Sequence, residues 1–318
     1  MTNGANGTKV VGLGHYQPSK VLTNEDLAKM VDTNDEWIVS RVGIKERRIA
    51  EDETVADMAT AAAEKALAAS GLTAADIDYV IVATCTALDR TPNVASRVAA
   101  GLGIDAPAAI DINTACSGFP HAVATADHAI RAGAATNAIV VGVERLSDFT
   151  DWTDRSTCVL FGDGAGAVVL TGIAPGEEPG VGPVVWGSVP EMSDAVRILG
   201  DHPYINQNGQ SVFRWATTTL APLARKTAES AGVKIEDVAA VVFHQANLRI
   251  IEGIAKRLGA DNAVIARDIV ESGNTSAASV PLALSKMVAR GEIASGAPVL
   301  LFAFGGGLTY AGQIIRCP

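Results

Sequence analysis

The chain has 318 residues, of which 48% are hydrophobic and 19% charged, and its formal net charge at pH 7 is −10. This composition predicts a globular protein large enough for two domains or one large α/β unit, and its acidic balance argues against a nucleic-acid partner. No apolar run approaches the roughly 18 residues of a membrane span, and the N-terminal residues lack the apolar segment of a secretory signal. Four cysteines without metal-ligand spacing predict a cytoplasmic protein without a metal site.

The predicted elements alternate between apolar strands and amphipathic helices. A strand at 8–14 ends in a glycine turn, but Gln17 stands where a dinucleotide-binding fingerprint needs its third glycine. A capped helix is expected from Thr23 to Val31, followed by a charged turn at 40–48. Further elements are helices at 54–70 and 92–102, strands at 77–84 and 138–143, and a glycine-interrupted apolar stretch at 158–170. Glycine in that stretch is expected to permit close backbone packing. The alternation is typical of layered α/β proteins with buried sheets.

The second half of the chain repeats the first, most clearly in two segments that align at a constant offset of 161 residues. The segment 71–83 (GLTAADIDYVIVA) lies over 232–244 (GVKIEDVAAVVFH), with glycine, aspartate and the β-branched run in step. Both copies continue through a helix, an Asp-Ile pair and a turn rich in Asn, Thr and Ser. A cluster of Pro and Gly at 173–183 is the expected boundary between the halves. Two pseudo-symmetric halves would place equivalent loops side by side at one site.

Cys116 lies in the stretch DINTACSGFP, where an apolar strand leads into a predicted helix. Apolar residues recur after it at three- and four-residue steps, Pro120 suits the first turn, and Gly133 follows the end. A cysteine at a helix N-terminus is favoured as the thiolate, its nucleophilic form. The alternative for a lone cysteine is a small buried residue in an Ala-rich turn. The other cysteines lack this context and are expected to be inert: Cys85, Cys158 and Cys317.

Polar residues in the second half complete a candidate site. His244 ends the predicted strand VAAVVFH, and Asn274 lies in the turn GNTS that matches the turn of Cys116. Strand ends at a junction of halves are where α/β proteins assemble sites. Gly306, in the triple glycine after the strand VLLFAF, can present a backbone N–H group to a developing oxyanion. Taken singly, His244 is equally a hydrogen-bonded residue of the core, Asn274 a helix cap and the triple glycine a packing turn.

The pattern formed by these residues together decides between the catalytic and the purely packing roles. The motifs DINTACSGF, FGDGAGAVVL, FHQANLRII, GNTSAAS and FGGGLTYAGQ, with DTNDEWIVSRVGIKERR near the start, resemble β-ketoacyl-acyl-carrier-protein synthase III over essentially the whole chain. The resemblance implies an α/β protein with the thiolase-like five-layered αβαβα fold, built from two duplicated halves. The N-terminal half, 1–173, would carry the nucleophilic cysteine, and the C-terminal half, 174–318, the histidine and asparagine.

The resemblance also implies a role for each site residue. Cys116 would be the acyl-accepting nucleophile, His244 and Asn274 the decarboxylation pair, and the N–H groups of Cys116 and Gly306 the oxyanion hole. Degradative thiolases differ, because their second catalytic cysteine lies in a CxG motif that Cys317 does not match. Elongating ketosynthases carry a second histidine where Asn274 stands. These departures favour the initiating, CoA-primed branch.

The implied reaction is a decarboxylative Claisen condensation of an acyl-CoA primer with malonyl-acyl-carrier protein, through an acyl-cysteine intermediate. It gives β-ketoacyl-acyl-carrier protein and initiates fatty-acid synthesis, with no cofactor and with a homodimer as the expected assembly. Two alternatives stay open: a priming ketosynthase of a polyketide or other natural-product pathway, and a non-catalytic partner subunit. The intact triad argues against the partner subunit, which has no need to keep all three residues.

Two binding surfaces follow from the same resemblance. The coenzyme A channel is expected at Trp37, which would stack on adenine, at Arg155, and at Phe213 and Asn247 along the pantetheine arm. The acidic carrier protein is expected to dock on Arg214, Arg249, Lys256 and Arg257. Taken singly, Trp37 is a surface-anchoring aromatic residue, Arg155 a solvated charge, and the basic residues an ordinary solvated helix face.

The acyl pocket is expected to involve a loop that crosses the dimer interface in the family. The matching loop here is 87–92, which contains Leu88 and Thr91. Thr91 stands where a narrow, acetyl-using enzyme has a bulky phenylalanine before a proline. Threonine is smaller, so a deeper pocket and a primer range beyond acetyl are predicted, unless Leu88 refills the space.

Overall fold

The computed structural model describes residues 4–200 and 202–318. Within these ranges the main features are two five-stranded sheets and two small ribbons. The first sheet contains β1 (Thr8–Tyr16), β4 (Tyr79–Ala83), β5 (Ala108–Ile112), β6 (Asn137–Glu144) and β7 (Gly164–Gly172). The second contains β8 (Val185–Ser188), β11 (Ala240–Phe243), β12 (Val264–Ile265), β13 (Pro298–Gly305) and β14 (Thr309–Arg316). The ribbons pair β2 (Val21–Thr23) with β3 (Glu46–Arg48), and β9 (Val196–Leu199) with β10 (His202–Gln207).

The two sheets have the same topology. Their strand orders are β1-β7-β6-β4-β5 and β8-β14-β13-β11-β12. In each sheet the last three strands run parallel, and the second strand is antiparallel to both of its neighbours. This identity of order and direction confirms the duplication predicted from the repeat. The strands of the first sheet end at Gly172 and those of the second begin at Val185, so we propose to divide the halves at 173/174.

Helices lie outside and between the sheets. They are α1 (Asn24–Leu27), α2 (Asp35–Val42), α3 (Val55–Ser70), α4 (Val94–Leu102), α5 (Gly118–Arg131), α6 (Gly209–Ser230), α7 (Leu248–Leu258), α8 (Ile269–Ser272) and α9 (Ser279–Ala289). The α5 and α9 helices contact strands of both sheets, whereas α3 and α4 cover the outer face of the first sheet and α6, with α7 beside it, that of the second. This confirms the five-layered αβαβα arrangement. No helix in the described ranges combines the length and apolarity needed to cross a lipid bilayer.

The central layer is packed closely enough to require glycine. A Cβ atom on Gly166 of β7 would lie 2.4 Å from the backbone nitrogen of Leu282 in α9, and one on Gly142 of β6 would lie 2.3 Å from the carbonyl oxygen of Ala277. The glycine in the stretch 158–170 therefore serves close backbone packing, as the sequence predicted. This close packing also places the segment that precedes α9 against the first sheet. The segment lies beside the turn that precedes α5.

Two expectations near the N-terminus were wrong. The helix predicted from Thr23 to Val31 is limited to α1, which begins with a capping box at Thr23. The charged turn predicted at 40–48 is instead the end of α2 followed by β3, because Gly43 ends α2 in a left-handed conformation. Arg47 of β3 is fully buried, and its guanidinium donates to acceptors in distant segments: Leu22 O, Asn24 Oδ1 and Val159 O. Local charge patterning does not reveal such long-range acceptors.

Candidate active site

Cys116 and Asn274 lie in matching turns of the two halves. Cys116 is in a 3₁₀ turn, Ala115–Ser117, between β5 and α5, and Asn274 precedes the equivalent turn, Ser276–Ala278, before α9. Ala115 and Ser276 both have φ of 46°, which is a left-handed conformation. This conformation is unfavourable for any residue other than glycine. In each turn the side-chain oxygen of an asparagine two residues earlier accepts a hydrogen bond from the backbone N–H of the left-handed residue. Asn113 accepts from Ala115, and Asn274 accepts from Ser276. The duplication has thus built the same strained turn twice, and the two turns contact each other.

A cavity of about 440 Å³ opens where these turns meet. Its lining includes the four residues singled out in the sequence for chemistry: Cys116, His244, Asn274 and Gly306. Strand ends position two of them, since His244 directly follows β11 and Gly306 directly follows β13. The sequence-predicted constellation therefore lies in one cavity, and the roles of its members remain predictions.

His244 is held by a hydroxyl group on α9. Its Nδ1 atom lies 2.7 Å from Ser279 Oγ, which also accepts the backbone N–H of Gln245. A hydroxyl that accepts from Gln245 can donate its own proton to Nδ1, which leaves the proton of a neutral imidazole on Nε2. Burial lowers the pKa of His244 to about 3, so the ring is neutral at physiological pH. Sequence reasoning missed Ser279, although it ends the motif GNTSAAS.

Asn274 is oriented by its own turn. Its backbone N–H donates to Leu160 O at 2.8 Å, and its carbonyl oxygen accepts from Gly162 N. The side-chain Oδ1 accepts the N–H of Ser276 at 2.9 Å. The amide oxygen is thereby engaged, and the NH₂ group is the end of the side chain left to donate elsewhere.

The protonation state of Cys116 differs from the expectation of a thiolate. Burial is the largest influence and raises the pKa of the thiol to about 11. The Ser276 hydroxyl and the backbone N–H groups of Cys116 and Gly306 act to lower this pKa without overcoming the effect of burial. The position before α5 is as predicted, but loss of solvation outweighs the helix N-terminus, so the resting side chain is a thiol.

Gly305 lets β13 approach the cysteine closely. A Cβ atom on Gly305 would lie 2.6 Å from the Cβ of Cys116 and 3.0 Å from its sulfur. The N–H group of the next residue, Gly306, and that of Cys116 itself both act to lower the pKa of the Cys116 thiol. An oxyanion hole formed by these two N–H groups stays a prediction.

Two residues beside Cys116 were not anticipated. Cys85, expected to be inert, lines the same cavity, and its thiol donates to Glu144 Oε1 at 3.3 Å. Glu144 ends β6 and is fully buried. Burial raises the pKa values of both side chains. The sequence could have indicated Glu144, because it is the one carboxylate of the otherwise apolar strand AIVVGVE and stands at its end. His244 likewise stands at the end of an apolar run.

One wall of the cavity is apolar. Its members come from the stretch between β6 and β7 and from the stretch between β8 and β11: Leu146, Phe161, Val196, Ile198, Ile205 and Val212. The β9–β10 ribbon supplies three of them. The sequence did not reveal a function for this ribbon, because alternating apolar residues in a short hairpin do not show what they face. The wall can take an apolar chain attached near Cys116.

The residues predicted to bind coenzyme A form a connected surface outside this cavity. The guanidinium carbon of Arg155 lies 4.3 Å from the ring centroid of Trp37. Asn247 caps α7 and donates to the carbonyl oxygen of Arg41, whose guanidinium also lies over Trp37. Phe213 and Asn247 directly follow Val212 and Ala246, which line the cavity. Two of the four residues are therefore next in sequence to the cavity lining.

The remaining predicted residues lie farther away. Leu88 and Thr91 are exposed on their loop, and Leu88 borders a separate groove rather than the cavity of Cys116 in the same chain. The predicted docking residues are all exposed, on α6 and α7: Arg214, Arg249, Lys256 and Arg257. The two helices contact each other, and Arg249 lies over the ring of Phe213. This patch of four arginine and lysine residues is called the basic patch below.

The duplicated sheets, with a cysteine and its matching turn at their junction, define the class of protein as thiolase-like. The comparisons with known proteins narrow this class. Residues 110–190 match the family model 3-oxoacyl-[acyl-carrier-protein (ACP)] synthase III, and residues 228–317 match the C-terminal model of the same family.

Similar proteins extend over the whole chain. A protein of Streptomyces coelicolor named beta-ketoacyl-[acyl-carrier-protein] synthase III 4 is 64% identical over 313 residues, 98% of this chain and 99% of its own. The crystal structure of a priming β-ketosynthase from a polyketide biosynthetic pathway superposes with a TM-score of 0.97 at 39% identity, covering 100% of this chain and 98% of that one. The 3-oxoacyl-[acyl-carrier-protein] synthase III of Aquifex aeolicus gives a TM-score of 0.91 at 43% identity, with 98% and 100% coverage. The chain belongs to the 3-oxoacyl-acyl-carrier-protein synthase III family, a family of acyl-transferring condensing enzymes.

Proposed function

We propose that this enzyme condenses an acyl-CoA primer with malonyl-acyl-carrier protein, releases CO₂ and forms β-ketoacyl-acyl-carrier protein, the first condensation of fatty-acid synthesis. The observation that carries the proposal is the meeting of Cys116, His244, Asn274 and Gly306 in one cavity of a member of this family. The test supplies the purified enzyme with both substrates and follows β-ketoacyl-carrier product by mass spectrometry. Absence of product with every acyl-CoA supplied would overturn the proposal.

In the first half-reaction Cys116 takes the acyl group. Its sulfur attacks the thioester carbon, a new S–C bond forms, and coenzyme A leaves as its thiol. The negative charge that develops on the thioester oxygen would be stabilised by the N–H groups of Cys116 and Gly306, both of which act to lower the pKa of the Cys116 thiol. No net charge enters the buried site if the thiol proton leaves the sulfur as the new bond forms.

In the second half-reaction malonyl-carrier protein loses CO₂, and negative charge develops on its thioester oxygen. His244 Nε2–H and the NH₂ group of Asn274 are neutral donors that stabilise this enolate. Their neutrality matters, because an acid at this place would protonate the nucleophilic carbon before condensation. The low pKa of His244 and its bond to Ser279 support this assignment. The carbanion then attacks the acyl-cysteine, and the thiolate of Cys116 is released.

The substrates would reach Cys116 along the surface that leads from the cavity mouth. We assign the adenine of coenzyme A to Trp37 and its phosphates to Arg155, which already stacks on that ring. Phe213 and Asn247 each follow a cavity-lining residue in sequence and would flank the pantetheine arm. The acyl group would lie against the apolar wall that includes Leu146 and Phe161.

A priming ketosynthase of a natural-product pathway is the second candidate. The 0.97 TM-score with the polyketide priming enzyme favours it specifically, and the same four residues serve either pathway. Parallel condensation assays with a fatty-acid carrier protein and a polyketide carrier protein separate the two. The proposal of a fatty-acid role expects the higher kcat/KM with the fatty-acid carrier.

The primer is expected to be longer than acetyl. We propose a homodimer in which the loop 87–92 of one protomer closes the partner's acyl pocket, which fits its exposed position away from its own cavity. Thr91→Phe should shift kcat/KM toward acetyl-CoA and away from butyryl-, isobutyryl- and octanoyl-CoA, because each methylene group buried there is worth about 0.8 kcal/mol, roughly fourfold. Thr91→Ser is the matched control and should keep the wild-type profile. A wild-type enzyme that strictly prefers acetyl-CoA, or an unchanged profile in Thr91→Phe, would refute the prediction.

The basic patch is proposed to dock the acidic carrier protein. Lys256→Glu should lower the rate of condensation roughly tenfold at low salt, with a smaller effect at high salt, because exposed charges act mainly on association and are screened. Self-acylation from acyl-CoA should be nearly unchanged. Lys65→Glu, on α3 in the opposite outer layer, is the control and should leave both half-reactions unaffected. Equal losses of condensation and self-acylation in Lys256→Glu would rule out docking at this patch.

A further inference from the structure

The hairpin turn between β13 and β14 lies against the turn that carries Cys116. A Cβ atom on Gly305 would lie 2.8 Å from the backbone nitrogen of Cys116, and one on Gly306 would lie 3.3 Å from the Cβ of Ala115. The lack of a side chain at Gly305 permits this approach. The run of glycines also brings conformational freedom, since glycine has the widest choice of backbone conformations. Gly307 uses that freedom, with a positive φ of 119°.

A hydroxyl group at the start of β14 spans the gap between these two turns. Thr309 Oγ1 lies 3.0 Å from the carbonyl oxygen of Gly306 and 2.8 Å from Ser117 Oγ. It also lies 3.3 Å from the carbonyl oxygen of Thr114, to which Ser117 Oγ donates at 2.9 Å. Thr309 thus reaches its own hairpin turn in one direction and the cysteine turn in the other. The side chains of Ser117 and Thr309 are called the hydroxyl pair below.

The hydroxyl pair connects the two turns whichever way its protons point. Each hydroxyl donates one hydrogen bond and can accept two. If Ser117 donates to Thr309, the proton of Thr309 is left to bond the carbonyl oxygen of Gly306. If Ser117 donates to the carbonyl oxygen of Thr114, then Thr309 can donate to Ser117. Ser117 is fully buried, so the loss of its partner would be costly.

The hydroxyl pair also joins the two halves of the molecule. Thr309 pairs with Gly305 across β13 and β14, so the second sheet sets the position of its hydroxyl. Ser117 is the residue that precedes α5 and belongs to the first half. One member of the pair is next in sequence to Cys116, and the other is hydrogen-bonded to Gly306. These are the two residues whose N–H groups form the predicted oxyanion hole.

We propose that the hydroxyl pair fixes the N–H group of Gly306 relative to that of Cys116, and that Ser117 and Thr309 are therefore positioning residues for acyl transfer. An oxyanion hole is effective only when its donors are in place before the charge develops. A displacement of about 1 Å in a reacting site can lower a rate on the order of 10²-fold. Glycine has no side chain to hold its turn, so the restraint has to come from a neighbour. This inference rests on the proposed acyl transfer to Cys116.

The test measures single-turnover self-acylation of the full-length enzyme over a range of acyl-CoA concentrations, by intact mass spectrometry. Thr309→Val removes the hydroxyl and keeps a β-branched side chain, which suits a strand. Its limiting rate of acylation should fall about 30-fold, because one oxyanion donor is loosened. The acyl-CoA concentration that gives half the limiting rate should change less than about twofold, since the ground-state contacts of coenzyme A are intact. The loss should be the same with acetyl-CoA and butyryl-CoA, which form the same oxyanion.

Rescue and a double variant test whether the two hydroxyls act together. Thr309→Ser restores a hydroxyl and should recover acylation to within about threefold of wild type. Ser117→Ala breaks the link between the turns and leaves Thr309 bonded to its own turn, so a loss of about fivefold is expected. The double variant Ser117→Ala/Thr309→Val should be no slower than Thr309→Val, because residues that act as one unit give non-additive losses.

Two controls separate positioning from a general disturbance of the fold. Decarboxylation of malonyl-carrier protein by the same samples should stay within a few-fold of wild type, because His244 and Asn274 are intact. Thr171→Val is the matched control for removal of a strand hydroxyl. The hydroxyl of Thr171 donates to Asn137 Oδ1, where the end of β7 pairs with the start of β6. This variant should leave acylation and decarboxylation unchanged.

Each outcome distinguishes the hydroxyl pair from the proposed function. Wild-type acylation in Thr309→Val, equal losses of acylation and decarboxylation, or multiplied losses in the double variant would overturn the positioning role and leave acyl transfer to Cys116 in place. If Thr309→Val does not fold, Ser117→Ala decides: a loss confined to acylation supports the role, and an unchanged rate contradicts it. A wild-type enzyme that forms no acyl adduct would overturn the proposed function itself.

Discussion

Replacement of Cys116 by alanine is expected to abolish transfer of the acyl group from coenzyme A and to lower condensation by at least about 10⁴-fold, as loss of a covalent nucleophile generally does. The physical reason is that the proposed reaction passes through a covalent bond to this sulfur, which alanine cannot form. Decarboxylation of malonyl-carrier protein should continue, because His244 and Asn274 remain. Intact-mass analysis after incubation with acyl-CoA and measurement of CO₂ release from malonyl-carrier protein check both halves of this prediction.

Cys85 provides the matched control for the Cys116 variant. It lines the same cavity, with its sulfur 3.9 Å from Ser276 Oγ, so it is the thiol that would be acylated by mere proximity. Cys85→Ser keeps a donor for Glu144 and should retain the adduct. An acyl adduct that persists in Cys116→Ala, or one that disappears in Cys85→Ser alone, would show that the nucleophile has been assigned to the wrong cysteine.

Replacement of His244 or Asn274 by alanine is expected to have the opposite pattern. Each variant should keep self-acylation and lose condensation by about 10²- to 10³-fold, the usual effect of removing one donor to a developing oxyanion. Both side chains are buried, and their donors are fixed by Ser279 and by the N–H of Ser276. Malonyl decarboxylation, measured separately, should fall in parallel with condensation.

Self-acylation in the same sample is the control for the folding of these two variants. An enzyme that still accepts the acyl group has an intact Cys116 turn, so its loss of condensation reports on the decarboxylation pair. A variant of either residue that condenses at near the wild-type rate would contradict the assignment. So would a loss confined to acylation, because that would move the residue to the first half-reaction.

Much of the fold was predictable because the repeat is recorded in the sequence itself. The segments 71–83 and 232–244 align without gaps, and the strands they contain, β4 and β11, occupy the same place in sheets of identical order. The placement of Cys116 before α5 followed from helical spacing and from Pro120, both of which are local signals. His244 was selected by its location at a duplicated strand end together with the other site motifs.

The details that set the chemistry were not predictable, because they depend on burial and on contacts between distant segments. The protonation state of Cys116 is decided by loss of solvation, which the helix position alone does not give. Glu144 lies 132 residues from Ser276 in sequence, yet the two are hydrogen-bonded. The apolar wall needs β9 and β10 to fold across the cavity, and their alternating pattern carries no information about that neighbour. Arg47 was misplaced for the same reason.

The most direct test of the proposed reaction is one intact-mass experiment with two successive additions. Acyl-CoA is added first, and a single acyl adduct that proteolysis locates on Cys116 is expected. Malonyl-carrier protein is added next, and the adduct should be discharged as β-ketoacyl-carrier protein appears in equal amount, with no discharge in Asn274→Ala. An enzyme that forms no adduct at Cys116, or whose adduct survives malonyl-carrier protein without product, would contradict the proposed reaction.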